Sequence, residues 1–382
     1  MQKNILLLFC LFLCVSCATE QKQHFTHKLV ATNRVKTFEL DAETRYNPFY
    51  LYTFRDEAGK TYLSFLNYRT NQILFYDWDT SAFLFKVELD KEGSQGVGLP
   101  SGYYIHDFQH IYVTSYSYFG LIKVDTTGHV VQKIPYGKTP DGYQVQASYT
   151  PSSQPYIPPV IIGDKLYITQ QAAAHICPLE RTPLSVAIDT HDNSNTALPL
   201  TYKSVLSEAQ IQTGETRFSR AFDGRRFIYS FYTDENLLIA SVEHDTIQRV
   251  SAKSGYIENP AQVSQVPVEL RAKANLEIPR YGNLLHDPYR NLYYRFAYPQ
   301  TDLDGNIDWR GKAVYGRKKF SVLILDKDLN VIGETLFPEA IYNPYACVVT
   351  PEGLYISKDY KMLEGSSEDY SVFEQFILEP CQ

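Results

Sequence analysis

The chain holds 382 residues with a formal charge of −7, and it carries 31 Tyr against only 2 Met. That acidic balance, with no basic stripe, argues against a nucleic-acid footprint and against a polybasic membrane-binding surface. Aromatics at 14% favour half-buried sheet over helix, and the three thiols scattered after residue 17 (Cys177, Cys347, Cys381) make neither a disulfide framework nor a CxxC metal site. Cys177 and Cys347 read as small buried apolar residues.

At the N-terminus, Lys3 precedes an apolar run over residues 5–15. A single basic residue followed by about a dozen apolar ones matches the core of a secretory leader and is too short to span a bilayer. The run closes on Val15-Ser16-Cys17, which resembles a bacterial lipobox. By that resemblance residues 1–16 are a lipoprotein signal peptide and Cys17 is the first mature residue, acylated and held in outer-membrane lipid. Ala18 stands where an inner-membrane retention signal would carry Asp, and Cys14 departs from the Leu most lipoboxes have. An ordinary secretory signal cut nearby is the alternative. Several acyl chains at about 0.8 kcal/mol per buried CH₂ make such anchoring stable. Residues 17–27 read as the lipidated Cys and a polar tether, and residues 28–382 as one domain.

Within that domain a phrase recurs six times: an aromatic, a gap, then a Tyr inside a β-rich run. The first members are Tyr46, Tyr103, Tyr156, Phe218, Tyr281 and Tyr342; the second are Tyr62, Tyr112, Tyr167, Tyr229, Tyr293 and Tyr355. Intervals of 50 to 64 residues between successive second members fit one four-stranded sheet per repeat. The clearest copy runs through strands ending near residue 107, then 111–116, 121–125 and 129–136, with Gly, Asp and Thr at the turns. Blade 1 takes 61–67, 73–78 and 83–89; blade 3 takes 165–170, 184–189 and 195–200. Blade 4 takes 226–231, 237–243 and 246–252, and blade 5 takes 291–298, 320–326 and 331–337. Blade 6 has 353–359 and 370–378 and lacks a fourth strand. Residues 28–40 form a strand-like segment without a partner of its own, so the expected fold is an all-β six-bladed β-propeller closed by an N-terminal strand that completes the last blade.

Three stretches break the strand pattern: 201–215, 254–278 (with a short helix near 266–273) and 300–319. Propeller geometry places all three on one face, and long loops on a rigid scaffold are where function usually sits. Three inner-strand aromatics follow an arginine, as Arg45-Tyr46, Arg217-Phe218 and Arg280-Tyr281; Tyr342 follows Ile341. At the mouth of a central funnel such guanidinium forks suit an anion, and the aromatics suit a sugar or another flat ring. The competing reading pairs these arginines with acids to hold blades in register. Asp302, Asp304 and Asp308 surround Gly305 in partial likeness to a calcium loop, against which stands an ordinary Asx turn. His106-Asp107 and His286-Asp287 look like acid–base pairs, but their register matches Asp223-Gly224 and places them in the turn after the inner strand. His175, Glu180 and Arg181 lie in the blade 3 loop on the favoured face. No GxSxG, HExxH, P-loop or GxGxxG occurs.

With Cys17, the six repeats, and the near-copies Tyr46-Asn47-Pro48-Phe49 and Tyr342-Asn343-Pro344-Tyr345, the chain resembles the uncharacterised six-bladed propeller lipoproteins of Bacteroides-type bacteria. The resemblance implies an envelope location and brings no activity. The expected function is a lipid-anchored binding or scaffold protein that takes an anionic or carbohydrate-like ligand, or an envelope protein, on its loop-rich face and funnel. The alternative is a metal-dependent propeller lyase or hydrolase with its site in the channel. No nucleic-acid partner is expected, and no cofactor beyond calcium at the Asp302 loop.

Overall fold

A computed structural model describes residues 25–44, 50–146, 156–170, 172, 177–213, 215–261, 266–303, 309, 316–360 and 369–381. Cys17 and the leader lie outside the described residues, as do Arg45, Tyr46, His175, Asp304 and Asp308.

Six four-stranded antiparallel sheets account for 24 strands. The first strand, β1 (His27–Glu39), belongs to the last sheet. Blade 1 is β2 (Leu51–Arg55), β3 (Thr61–Asn67), β4 (Gln72–Asp77) and β5 (Phe83–Glu88), and blade 2 is β6 (Pro100–Asp107), β7 (His110–Ser115), β8 (Tyr118–Val124) and β9 (Val130–Pro135). Blade 3 is β10 (Val160–Ile162), β11 (Lys165–Thr169), β12 (Ser185–Asp189) and β13 (Asn195–Ala197). Blade 4 is β14 (Phe218–Phe222), β15 (Phe227–Phe231), β16 (Asn236–Ala240) and β17 (Ile247–Ser251). Blade 5 is β18 (Arg280–Asp287), β19 (Leu292–Tyr298), β20 (Ser321–Leu325) and β21 (Val331–Leu336). Blade 6 is β22 (Asn343–Thr350), β23 (Gly353–Ser357) and β24 (Tyr370–Pro380), with β1 as its outer strand. The six-bladed propeller and its N-terminal closure are therefore as the repeats predict.

Short strands with apolar residues on both faces need a sheet on either side, and each blade finds one in its two neighbours. A separate apolar core fills every seam. Phe54, Tyr62 and Tyr103 join blades 1 and 2, Tyr112, Leu166 and Ile188 join 2 and 3, and Leu184, Phe218 and Tyr229 join 3 and 4. Ile228, Leu284 and Tyr293 join blades 4 and 5, and Phe296, Tyr342 and Phe376 join 5 and 6. The last seam is closed by β1: its Phe38 is fully buried among Tyr76 and Trp78 of blade 1 and Phe373 of blade 6. Those rings pack edge-on at 5.8 Å (Tyr76) and 5.9 Å (Phe373), an arrangement that adds to simple area burial. β1 pairs with β24 from His27↔Pro380 to Glu39↔Tyr370, with one bulge between Ala31 and Val35. At its start it lies so close to β21 that a Cβ on Gly333 would sit 2.1 Å from the His27 carbonyl oxygen.

Polar pins cross the seams as well. Arg295 of β19 is fully buried, stacks 3.5 Å from the centre of the Tyr281 ring, and donates to Ser230 Oγ and the Asp234, Glu235 and Ala252 carbonyls of blade 4. Arg220 of β14 donates to Ser185 Oγ and to the Pro158 and Tyr167 carbonyls of blade 3. Ser185 Oγ also lies 2.9 Å from the Tyr229 hydroxyl, which in turn meets His244 Nε2. On the face of the inner-strand turns, Asp223 and Arg226, and again Asp287 and Arg290, pair within their own turns. From there Arg226 reaches the Lys327 carbonyl and Arg290 the Thr350 and Pro351 carbonyls of the next blade. This Asp-x-x-Arg repeat was not singled out in the sequence.

Two predictions follow from these seams. Deleting residues 28–40 removes the outer strand of blade 6 and Phe38 together, and should abolish the cooperative thermal transition; an unchanged melting curve would refute closure by that segment. The milder Phe38→Ala should cost about 3–5 kcal/mol in urea unfolding. The second concerns His244, which is fully buried with Nδ1 3.1 Å from the Val242 carbonyl. Burial holds its imidazole neutral and pushes its pKa down from 6.5 to about 4. The unfolded chain takes up that proton at higher pH than the native one, so stability is full above pH 6.5 and declines as pH falls toward 4, by about 3 kcal/mol. Urea midpoints across that range should fall less steeply for His244→Gln, and parallel slopes would contradict the assignment.

Candidate functional site

The three long connections meet on one face of the ring, at Asn275. The link into blade 4 carries α1 (Tyr202–Val205), started by a capping box in which Thr201 and Ser204 satisfy each other's backbone N–H, and α2 (Glu208–Thr213). Neither helix is announced by an apolar period. The link into blade 5 holds a 3₁₀ turn (Val268–Leu270) running into α3 (Arg271–Glu277), close to the expected short helix. The blade 5 insertion docks on α3 through the Thr301 and Leu303 N–H groups, which donate to the Glu277 carbonyl and to Glu277 Oε1.

Three arginines converge there, one at the end of each connection. Arg217 Nη2 and Arg280 Nη1 donate to the same acceptor, Asn275 Oδ1, at 3.3 and 2.8 Å. Arg317 donates to the Asn275 and Ile278 backbone carbonyls at the C-terminal end of α3, where the helix is electronegative. Aromatic faces complete the lining: Tyr232 lies 5.7 Å from the Arg217 guanidinium and 5.6 Å from that of Arg280, and Tyr298 lies 5.1 Å from that of Arg317. Such contacts favour a desolvated cation without neutralising it.

The charge balance of this cluster is incomplete. Arg317 is 0% and Arg280 5% exposed, yet among the described residues neither has a carboxylate within 4 Å. Glu215, 3.6 Å from Arg217, is one acid of the cluster; Glu277, whose charge favours the protonated form of Arg317, is itself engaged by Lys273 and the Leu303 N–H. Both Arg280 Nε and Arg317 Nε are buried without a hydrogen bond. The Arg280 guanidinium makes one hydrogen bond among the described residues, although it carries five N–H donors. Burial, and then the neighbouring charge, lower the affinity of both for their proton: Arg217 acts on Arg280, and Arg280 acts on Arg317, whose pKa falls to about 9. Arg217 keeps 38% of its side chain exposed, so the cluster opens to solvent on its side. Buried donors in forked geometry, short of acceptors, are the arrangement an oxyanion satisfies.

Of the arginines singled out in sequence, Arg217 and Arg280 are thus brought together, and Arg45 lies outside the described residues. Arg317 was missed, because it lies at the end of a long insertion with no strand period to place it. The aromatics need correction. Phe218, Tyr281 and Tyr342 were expected at the mouth of the funnel; they are 5%, 0% and 7% exposed and fill seams between blades. Side chains of an inner strand point to the two faces of its sheet, hence toward the neighbouring blades, and its backbone edge faces the axis. Tyr342 is further held by a 2.7 Å hydrogen bond from its hydroxyl to Glu374. Asp302 is exposed, with its carbonyl accepting from Lys318 Nζ. Asp304 and Asp308 fall outside the described residues, among which no group of three His, Cys, Asp or Glu side chains is placed to hold a metal. Glu180 and Arg181 lie exposed in the blade 3 loop.

At the other end of the axis the carboxylates behave as turn residues. Asp107 accepts from the Gln109 N–H and pairs with His110, and Asp287 accepts from the Tyr289 and Arg290 N–H groups. Their neighbours His106 and His286, however, line a cavity of about 340 Å³ between the inner strands.

Six like sheets about one axis, with the long connections gathered on one face, define a six-bladed β-propeller with a basic cluster built by its loops. The chain belongs to the family described as domain of unknown function DUF4221, whose profile matches residues 26–336. A crystal structure of a DUF4221 member from Bacteroides vulgatus is similar at a TM-score of 0.81 and 25% identity, over 93% of this chain and 99% of that one. A protein of Bacteroides fragilis described as exported is similar in fold, at a TM-score of 0.52 and 10% identity over 92% of this chain and 97% of that one. No curated protein matches the chain. Among the described residues no helix is long and apolar enough to cross a membrane.

Proposed function

We propose that this protein is a lipid-anchored binding protein of the outer membrane that holds an anionic group of its ligand between Arg217, Arg280 and Arg317. The location is supported by the leader and Cys17, and by the fold shared with an exported Bacteroides protein. The binding role rests on one observation: two arginines at least 95% buried which, among the described residues, have no carboxylate within 4 Å and keep an unpaired Nε–H. Removing a cation from water costs several kcal/mol unless a partner restores the lost interactions. An entering sulfate, phosphate or carboxylate group does so with charge-assisted hydrogen bonds, each worth about 1.5–3 kcal/mol. Tyr232 and Tyr298, both buried, hold the guanidinium groups in place from behind.

At low millimolar concentration, below the range in which sulfate stabilises proteins generally by exclusion from their surface, sulfate as the simplest probe should raise the melting temperature of the wild-type protein along a saturating curve relative to chloride at equal ionic strength. Arg280→Met should abolish that increment while leaving the anion-free protein equally or more stable, since it deletes an uncompensated buried charge. An anion response that survives in Arg280→Met, or a wild-type protein indifferent to sulfate, phosphate and acetate alike, would overturn the proposal.

A further inference from the structure

The cavity at the opposite end of the axis has a different character. Tyr52 of β2, Tyr104 and His106 of β6, Phe222 of β14 and His286 of β18 surround it, with Tyr156 ahead of β10. Tyr156 sits at the axis itself. Its carbonyl accepts from Arg220 N (2.9 Å) and Ser219 Oγ (2.8 Å) of blade 4, and its N–H donates to Asn283 Oδ1 (3.3 Å) of blade 5. A second space of about 150 Å³ adjoins, sharing Tyr156 and His286.

No Asp, Glu, Lys or Arg lines the larger space among the described residues. Asp107 and Asp287 are turned into their own turns, as above. The polar groups that do face it lack partners. Among the described residues neither the Tyr52 nor the Tyr156 hydroxyl makes a hydrogen bond, and neither is sealed from solvent. The Tyr104 hydroxyl has only a long 3.4 Å approach to His106 Nδ1. The His286 ring lies 5.0 Å from that of Tyr293 at a 39° tilt, and among the described residues neither of its nitrogens is hydrogen-bonded. The three phenols are close neighbours: burial first, then their mutual proximity, raises the pKa of Tyr52 and Tyr104, so they stay protonated. Burial likewise keeps His106 and His286 toward the neutral form, each with one donor and one acceptor.

The walls are therefore uncharged, carry both donors and acceptors, and are otherwise apolar, part aromatic and part aliphatic (Pro158, Val160, Ile161). The Tyr52 and Tyr104 rings stand 5.7 Å apart at 74°. That is a corner and not the parallel slot a flat aromatic ligand would fill. A puckered ring with an apolar C–H face and hydroxyls around its edge fits both features: its face lies on a tyrosine ring while its hydroxyls meet the phenols and imidazoles. The volume falls at the lower end of small-molecule pockets.

We propose that this cavity is a second binding site, for a neutral sugar of one or two rings. It rests on observations separate from the arginine cluster, on the other face of the ring, so either site can fail without the other.

Saturation-transfer NMR with glucose, N-acetylglucosamine and maltose, and adenosine as a flat aromatic control, tests it on the whole mature protein. At least one saccharide should receive saturation. Tyr104→Phe and His286→Leu should each weaken its binding about 3–10-fold, the range expected for one hydrogen bond, while the melting shift with sulfate is unchanged. Tyr104→Phe keeps the ring in place, so its effect separates lost recognition from lost folding. The proposal is overturned if no saccharide binds folded protein, if adenosine alone binds, or if both variants hold the saccharide as tightly as wild type.

Discussion

The pairing of β1 with β24 is the interaction on which every other feature depends. A propeller blade is stable because both its faces are covered, and in a ring that holds for all blades only if the first and last also meet. β1 supplies this in two ways. Its backbone completes the edge of β24 from residue 27 to 39, and its Phe38 enters the seam with blade 1 beside Trp78 and Tyr76. Near its start Leu29 packs into the preceding seam, between blades 5 and 6. One strand thus joins the core on both sides of the last blade. Only with the ring closed do connections far apart in sequence come to lie around Asn275, and only then is there an axis for six inner strands to surround.

The ring uses buried arginine in two distinct ways. Arg220 and Arg295 cross seams and find acceptors in hydroxyls and backbone carbonyls of the adjacent blade. Their dense hydrogen bonding answers the cost of desolvation, and their role ends with holding blades in register. Arg280 is as buried yet donates one hydrogen bond, beside a second buried cation and a third that reaches solvent. Arg220 shares with Arg280 and Arg317 a buried Nε without a hydrogen bond, so the contrast lies in the count: three side-chain hydrogen bonds for Arg220 and four for Arg295, against one for Arg280 among the described residues. Holding blades in register, the duty that the competing sequence reading gives to Arg45, Arg217 and Arg280 through acids, is seen instead at Arg220 and Arg295, through hydroxyls and carbonyls.

Much of the architecture was legible because it follows from local chemistry. Short aromatic and aliphatic runs such as Thr61–Asn67 and Leu292–Tyr298, buried throughout and punctuated by Asp and Gly turns, mark strands whatever their neighbours. The missing fourth strand of blade 6 and the spare segment before residue 40 then imply closure by simple matching. The site was less legible because it is assembled by contacts across long intervals. Arg217 and Arg280 were visible as repeated neighbours of an aromatic, but Asn275, which unites them, and Arg317 have no period or motif to mark them. The aromatics misled for a definite reason: a position at the start of an inner strand was equated with the channel wall, whereas Phe218, Tyr281 and Tyr342 project from the sheet faces into the seams. The histidines show the converse. Asp107 and Asp287 serve the turns as the register implied, while His106 and His286, on the alternate face, look into the axial cavity.

The most direct measurement is an anomalous diffraction experiment on crystals of the mature protein soaked in selenate, which mimics sulfate and marks its own position. The account predicts a selenium peak between the guanidinium groups of Arg217, Arg280 and Arg317, within hydrogen-bond distance of Arg280. A cluster that stays empty while selenate occupies other sites, or a carboxylate of this chain folded against Arg280, would contradict it.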